Sequence, residues 1–187
     1  RDGAHSQRPT RGGGDRSMTD EPSSPACYAA EADDAYMGFA PREEIVDALN
    51  ELLEAERAGA RVALASAKGL ANEDELALLR AVRDDEVRWC AMLFRHIRKA
   101  GGSPSLKCGA FFGKAMAIGD LHDRLHFLNR GQSWVVRKLR ELMPRVRSDE
   151  LHRDLKAMLE SHEVNIGLTD SFLKNGPNAG GDTPSNG

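Results

Sequence analysis

Four long amphipathic patterns constrain this chain more than any other feature of its sequence. In each of them, apolar residues recur every three or four positions through about 25 residues, which predicts a helix with one buried face. No segment shows the strict alternation of a strand, so the sequence predicts an all-α protein. The expected first and last residues of the four helices are Pro41 and Lys68, Asn72 and Ala100, Asp120 and Pro144, and Ser148 and Leu173.

The connections between these helices predict how the helices are arranged. Short turns follow the first and third helices, so the members of each pair should run antiparallel. The link from Ser103 to Gly119 is longer and contains Phe111, Phe112 and Met116, which predicts a short extra helix. We therefore expect an antiparallel four-helix bundle. Its helices would each span roughly 38 Å, long enough to bury a sizeable core.

The composition of the chain changes at both ends of the predicted bundle. Residues 1–26 and 175–187 are rich in Gly, Pro and polar residues and have little to bury, and we expect both to be disordered. Residues 27–40 contain several large apolar side chains and are expected to form an arm that docks on the bundle of residues 41–174, or on a second subunit. Met18 is a candidate start, which would make residues 1–17 an extension.

Charge and cysteine content restrict the class of protein. Charged residues make up 29% of the chain and the formal net charge is -3, values that give no general attraction to nucleic acid or membranes. No apolar run approaches the roughly 18 residues of a membrane span. Three cysteines do not make a disulfide framework. We therefore expect a cytoplasmic protein with no nucleic-acid or membrane partner.

One polar residue interrupts the apolar face of each predicted long helix near its centre. These residues are Glu56, Glu86, Gln132 and His162. Glu56 and Glu86 are 30 positions apart, and so are Gln132 and His162, which places each pair at one height in its helical hairpin. If the two hairpins pack together, the four side chains meet in one central layer.

Two buried carboxylates require a cation, a proton or a basic partner. In one interpretation Glu56, Glu86 and His162 hold a single metal ion, for which two carboxylates and an imidazole suit Fe, Mn or Zn. Gln132, Cys90 and Asn165 would then surround these ligands. In the other interpretation the same residues form a hydrogen-bonded cluster that shares a proton.

Three segments carry a resemblance to the ferritin-like di-iron carboxylate proteins, such as rubrerythrins and bacterioferritins. Residues 52–60 (LLEAERAGA) are similar to the ligand segment of the first helix of that family. Residues 85–93 (DEVRWCAML) and 158–166 (MLESHEVNI) are similar to those of the second and fourth helices. The resemblance covers residues 42–173 and implies the fold, with ligands from a Glu on two helices and a Glu-x-x-His motif on the other two.

The ligand positions implied by this resemblance are only partly kept. Glu56 and Glu86 match ligand residues of the family. Trp89 and Asn165 stand at the two His positions, and Gln132 and His162 stand at the two remaining Glu positions. The resemblance therefore implies a bacterial branch of the superfamily with a reduced ligand set.

Two functions are compatible with this reduced set. The first is a redox-type protein that binds one Fe, Mn or Zn ion, and the second is a non-enzymatic bundle that serves as a structural or partner-binding module. The sequence does not decide whether the protein is an enzyme, and a homodimer is expected.

The third predicted helix and the turn after it carry an excess of positive charge. The basic residues are Arg124, Arg130, Arg137, Lys138, Arg140, Arg145 and Arg147. They could receive an anionic ligand or an acidic partner, or they could form a solvated face that pairs with acidic residues of neighbouring helices.

Overall fold

Helices are the only regular elements among residues 37–175, the part of the chain that the computed structural model describes. In chain order they are α1 (Arg42–Ser66), α2 (Glu73–Lys99), α3 (Phe111–Met116), α4 (Leu121–Leu142) and α5 (Asp149–Asn175), with a 3₁₀ turn at Met143–Arg145 between the last two. The predicted all-α bundle and its short extra helix are confirmed. The predicted disordered segment 1–26, residues 176–187 and most of the predicted arm lie outside the described residues, whereas Asn175, predicted to begin the disordered tail, is the last residue of α5.

Side-chain caps explain why most of the helix starts were predictable. Asn72 Oδ1 accepts hydrogen bonds from the backbone N–H groups of Asp74 and Glu75 at 2.9 and 3.2 Å, at the start of α2. Asp120 accepts from the third residue after it at 2.9 Å, and Ser148 does the same at 3.3 Å. Such side chains satisfy N–H groups that have no partner within the helix, and they are recognisable in the sequence.

The long connection between α2 and α4 crosses the length of the bundle. Arg42, at the start of α1, donates to the carbonyl of Ala100, just after α2 ends, at 3.1 Å. Arg124, in the first turn of α4, donates to Ser66 Oγ at the end of α1, at 3.3 Å. Residues 100–120 therefore run beside α1 from its beginning to its end. As a result α4 is antiparallel to α1 and parallel to α2.

Two ion pairs fix the second hairpin to the first at one end of the bundle, where α1 and α5 begin and α2 and α4 end. Arg145, after α4, forms an ion pair with Glu44 in the first turn of α1. Lys99, at the end of α2, pairs with Glu150 at the start of α5, so α5 is antiparallel to α2. The bundle thus has one long crossover connection between two antiparallel hairpins, which is the connectivity of ferritin-like folds.

The buried apolar residues form two separate clusters. The larger cluster is built from the first half of α1, the second half of α2, the end of α4 and the start of α5: Leu49, Leu52, Leu53, Trp89, Met92, Leu93, Ile97, Val135, Leu139, Leu142, Val146, Leu151, Leu155 and Met158. The smaller cluster lies toward the other end: Val62, Ala63, Leu79, Val82, Ala115, Leu125 and Leu128. On each long helix, the polar residue of the predicted central layer lies between or beside these clusters.

Within the described part of the chain, none of the helices combines the length and the apolarity that crossing a membrane demands.

Candidate metal centre

The structure brings the four predicted central residues into the bundle interior, one from each long helix. Glu56 of α1 is 0% exposed, Glu86 of α2 4%, Gln132 of α4 3% and His162 of α5 1%. Carboxylates are rarely buried to this degree without a partner. The central layer therefore consists of strongly polar groups that are withdrawn from solvent.

Three of these residues present potential metal ligands to one another. One ligand atom each from Glu56, Glu86 and His162 can be chosen so that all three lie within 4.8 Å of one another. Gln132 Nε2 donates a hydrogen bond to Glu86 Oε1 at 3.3 Å, and so holds one of the carboxylates. Among residues 37–175 this is the one group of three or more His, Cys, Asp and Glu side chains with metal-ligand spacing.

The imidazole of His162 has a defined tautomer in its neutral form. Its Nδ1 lies 3.0 Å from the backbone carbonyl of Met158, one turn earlier on α5. Because a carbonyl oxygen can only accept, Nδ1 must carry the hydrogen. Nε2 therefore presents a lone pair, the form of His that binds metals.

The lone pair of His162 faces a carboxylate oxygen. Nε2 lies 3.2 Å from Glu56 Oε1, yet neither atom takes part in a hydrogen bond, and Glu56 Oε2 is also buried without a partner. Two acceptor atoms at this distance in a dry interior repel each other unless a proton or a cation lies between them. The donor set and its unpartnered atoms therefore fit a divalent metal ion.

Burial also changes the acidity of both carboxyl groups. Removal from solvent raises the pKa of Glu56 to about 8, from an ordinary value of 4.5. The pKa of Glu86 is raised well above its ordinary value by burial and, next, by the negative charge of Glu56. Without a cation, at least one proton is therefore retained at neutral pH, whereas a divalent ion would allow both groups to ionise.

A glycine in α1 allows Glu86 to occupy its position. A Cβ atom added to Gly59 would lie 2.6 to 2.8 Å from the three atoms of the Glu86 carboxylate. The carboxylate thus lies against the α1 backbone, three residues after Glu56. We did not predict a role for Gly59, although a glycine in a helix interior, about 1 kcal/mol less favourable than alanine, was a signal that it makes a close contact.

The other predicted neighbours of the ligands have different surroundings. Asn165 Nδ2 donates to Asp85 Oδ2 at 2.8 Å, and Ser161 Oγ donates to the same oxygen at 2.8 Å. These bonds join α5 to α2 beside the ligands His162 and Glu86, and they engage the Asn165 amide at the position where the resemblance implies a metal-binding His.

Cys90 and Trp89 follow Glu86 on α2. Burial, followed by the negative charges of Glu56 and Glu86, raises the pKa of the Cys90 thiol to about 12. Cys90 is therefore a neutral thiol near pH 7 and not a thiolate. Trp89 is buried in the larger apolar cluster, so an apolar ring fills the position of the second implied His.

A pocket of about 460 Å³ connects the central layer with the surface between α1 and α4. Glu86 and Gln132 line it, together with the small residues Ala55, Ala58 and Gly59 of α1. The sequence alone does not predict this pocket, because its outer wall comes from the crossover connection, whose path is not encoded in a local pattern.

The fold resembles that of a known ferritin-like protein. A crystal structure described as ferritin-like, diiron-carboxylate proteins from Bacillus anthracis strain Ames superimposes with a TM-score of 0.63 at 17% sequence identity, covering 71% of this chain and 96% of the other. At this identity the likeness establishes the fold. The bundle is therefore ferritin-like, as the sequence predicted.

Residues 43–171 match the model of a protein family described as a domain of unknown function, DUF6306. The match covers more than half of the chain, and the chain belongs to this family. A comparison with curated proteins gave no match.

Proposed function

We propose that the protein binds one divalent metal ion, Fe, Mn or Zn, in the centre of its bundle. Glu56, Glu86 and His162 would hold the ion. The observation that carries this proposal is the lone pair of His162 Nε2 set against a Glu56 oxygen at 3.2 Å, with no hydrogen bond at either atom. Two carboxylates and one imidazole suit these three metals, and they would neutralise a divalent charge.

The surroundings of the ligands favour one ion over two. Trp89 and Asn165 replace the His ligands of the resembled sites, and the Asn165 amide is engaged with Asp85. Gln132 has a neutral amide in place of a carboxylate and uses it to orient Glu86. A second ion would lack the negative charge that such sites supply.

A bound Fe or Mn ion would supply redox chemistry toward dioxygen or peroxide. The chain's own residues would exclude water through the two apolar clusters, keep His162 in the ligating tautomer through Met158, and orient Glu86 through Gln132. The pocket beside Glu86 would give a small reactant access to the centre. A redox-type function follows only if an ion binds.

Elemental analysis tests the proposal. The protein should be purified without a metal-affinity tag, loaded anaerobically with Fe(II), Mn(II) or Zn(II), desalted and analysed for metal. We expect about one ion per chain, and none in Glu56→Ala/His162→Ala. No retained metal in the wild-type protein would refute the proposal.

A matched control exists elsewhere on α2 and α5. His96 Nε2 lies 2.7 Å from Asp154 Oδ2, so this buried imidazole also contacts a carboxylate, but outside the central layer. The variant His96→Ala/Asp154→Ala should bind as much metal as the wild type. Equal metal loss in both double variants would show general damage to the fold and not the loss of ligands.

The raised pKa values of both carboxyl groups favour a second candidate function. A cluster that retains protons can be buried without an ion. The protein would then be a non-enzymatic bundle that acts as a structural or partner-binding module. Elemental analysis separates the two candidates, because this one predicts no stoichiometric metal.

A further inference from the structure

The pocket between α1 and α4 has an apolar interior. Phe127, Leu128, Trp134 and Val135 of α4 line one side, and alanines and a glycine of α1 line the other. Its volume of about 460 Å³ falls within the range of roughly 300 to 1,000 Å³ that is common for small-molecule sites. The interior therefore suits the hydrocarbon part of a small molecule.

Contacts with α1 and α4 hold the outer wall of this pocket, residues 108–111 of the crossover connection, in place. Phe111 packs against Gly131, where an added Cβ would lie 2.6 Å from the Phe111 ring, and stacks on Phe127 with ring centroids 4.8 Å apart. Arg57 of α1 donates to the backbone carbonyls of Ser105 and Lys107, just before the wall. The pocket is thus a formed feature of the folded chain.

The charged residues that line the pocket differ in whether they have a partner of opposite charge or a hydrogen-bond donor beside them. Glu51 pairs with Lys138 at 3.1 Å, and Glu54 accepts a hydrogen bond from Ser105 Oγ. Arg130 and Arg137, by contrast, pair with no carboxylate among residues 37–175. The Arg130 guanidinium lies over the Phe127 ring at 5.1 Å, and Arg137 donates to a backbone carbonyl at 3.4 Å.

These two arginines share one face of α4. They are seven positions apart, about two helical turns, with Trp134 between them. Each carboxylate of the lining has a partner within the structure: Lys138 for Glu51, Ser105 for Glu54 and Gln132 for Glu86. The two arginines are therefore the charged lining groups that remain to bind an anionic ligand. Arginine binds carboxylates through paired N–H groups and is the usual residue for this task.

From these contacts we infer that the pocket binds a small organic anion, a carboxylic acid with an apolar body. The carboxylate meets Arg130 and Arg137, and the hydrocarbon part lies against the aromatic and aliphatic residues of α4. The binding residues are distinct from Glu56 and His162. Glu86 and Gln132 also line the pocket, which therefore adjoins the central layer, but the groups that meet the carboxylate are the two arginines and their binding requires no metal ion.

Isothermal titration calorimetry of the full chain, kept metal-free with a chelator, tests this inference with sodium octanoate and 1-octanol as probes. We expect one octanoate per chain, bound about tenfold more tightly than octanol, a difference of about 1.4 kcal/mol, because the arginines donate charge-assisted hydrogen bonds to a carboxylate and not to an alcohol. Absence of saturable octanoate binding would overturn the inference.

Three variants locate the binding. Arg130→Gln/Arg137→Gln should remove the preference for octanoate and leave octanol binding unchanged, whereas Arg80→Gln/Arg98→Gln, which changes two exposed arginines of α2, should change neither affinity. Ala55→Leu, which fills the pocket from α1, should weaken both ligands. Two results would show that the assignment is wrong. One is a preference for octanoate that survives Arg130→Gln/Arg137→Gln. The other is octanol binding that survives Ala55→Leu in a protein with wild-type circular dichroism.

Discussion

Glu86 and Gly59 illustrate how a single contact sets the geometry of the central layer. The Glu86 carboxylate occupies the space that any side chain at position 59 would need. Sequence periodicity predicted that Glu56, Glu86, Gln132 and His162 face inward, because a 3.6-residue repeat fixes the face of each helix. It could not predict the contact with Gly59, because contacts between helices depend on rotation and separation that no local pattern encodes. The metal-binding role of these residues stays a prediction.

Alanine substitutions of two helical glycines, Gly59 and Gly167, should separate an effect on metal affinity from an effect on fold stability. We expect Gly59→Ala to weaken metal binding by at least about tenfold, because the new methyl group displaces the Glu86 carboxylate. Gly167→Ala is the control, since a Cβ at this helical position of α5 meets no atom within 4 Å. It should stabilise the fold by roughly 0.5 to 1 kcal/mol and leave metal affinity unchanged. Competition titrations and urea unfolding measure the two effects, and unaltered metal affinity in Gly59→Ala would contradict this prediction.

The raised pKa of Glu56 predicts an unusual pH dependence for the metal-free protein. Its pKa is about 8 in the folded state and near 4.5 in an unfolded chain, so folding retains a proton between these values. The contribution of Glu56 to the free energy of unfolding should therefore be greatest below about pH 4.5. It should fall as the pH rises toward 8, by up to about 1.4 kcal/mol per pH unit for each proton.

Urea unfolding between pH 5 and 8.5 in the presence of a chelator checks this slope. Glu56→Gln/Glu86→Gln should abolish it and raise the stability at pH 8, because the amides need no proton to be neutral. Glu141→Gln, which changes an exposed carboxylate of α4, should retain the slope. A metal-free wild-type protein whose stability rises between pH 5 and 8 would exclude the predicted acidity of Glu56.

At the scale of secondary-structure elements, the helices and the crossover connection differ in how far the sequence determines them. The starts of α2, α4 and α5 were predicted within a residue or two, since Asn72, Asp120 and Ser148 cap them locally. The short α3 was also predicted. The path of residues 100–120 along α1 was not, because it depends on polar side chains of α1, among them Asn50 and Arg57, that look like ordinary exposed residues in the sequence.

Arg57 should control the order of the crossover connection. It donates to the carbonyls of Ser105 and Lys107, and we expect Arg57→Ala to raise proteolytic cleavage within residues 103–110 several-fold while helical content stays within about 5% of the wild type. Arg80→Ala, on the exposed face of α2, is the control and should leave cleavage unchanged. Limited proteolysis with mass spectrometry and circular dichroism provide the measurements. Cleavage equal to that of the wild type would show that other contacts hold the connection.

At the scale of the whole molecule, the two hairpins meet across one polar layer. The Glu56–His162 contact joins α1 to α5, and the Gln132–Glu86 hydrogen bond joins α4 to α2, so both contacts cross from the first hairpin to the second. A metal ion bound here would link the hairpins directly. Binding to the folded state alone would then stabilise the protein by about 4 kcal/mol when free metal exceeds the dissociation constant a thousandfold.

The division of the apolar core into two clusters has a consequence for the distribution of local stability along each helix. In most bundles the amides at helix centres exchange with solvent most slowly, because the centre is the part best packed. Here the centres of α1 and α5 contain the unpartnered polar groups, while the apolar packing lies to either side. In the metal-free protein we expect hydrogen–deuterium exchange to be faster around Glu56 and His162 than around Leu49 and Leu155. When the wild type is saturated with metal, exchange around Glu56 and His162 should become the slower of the two. This change should not occur in His162→Ala, so the exchange rates of individual amides would report whether the metal centre is occupied.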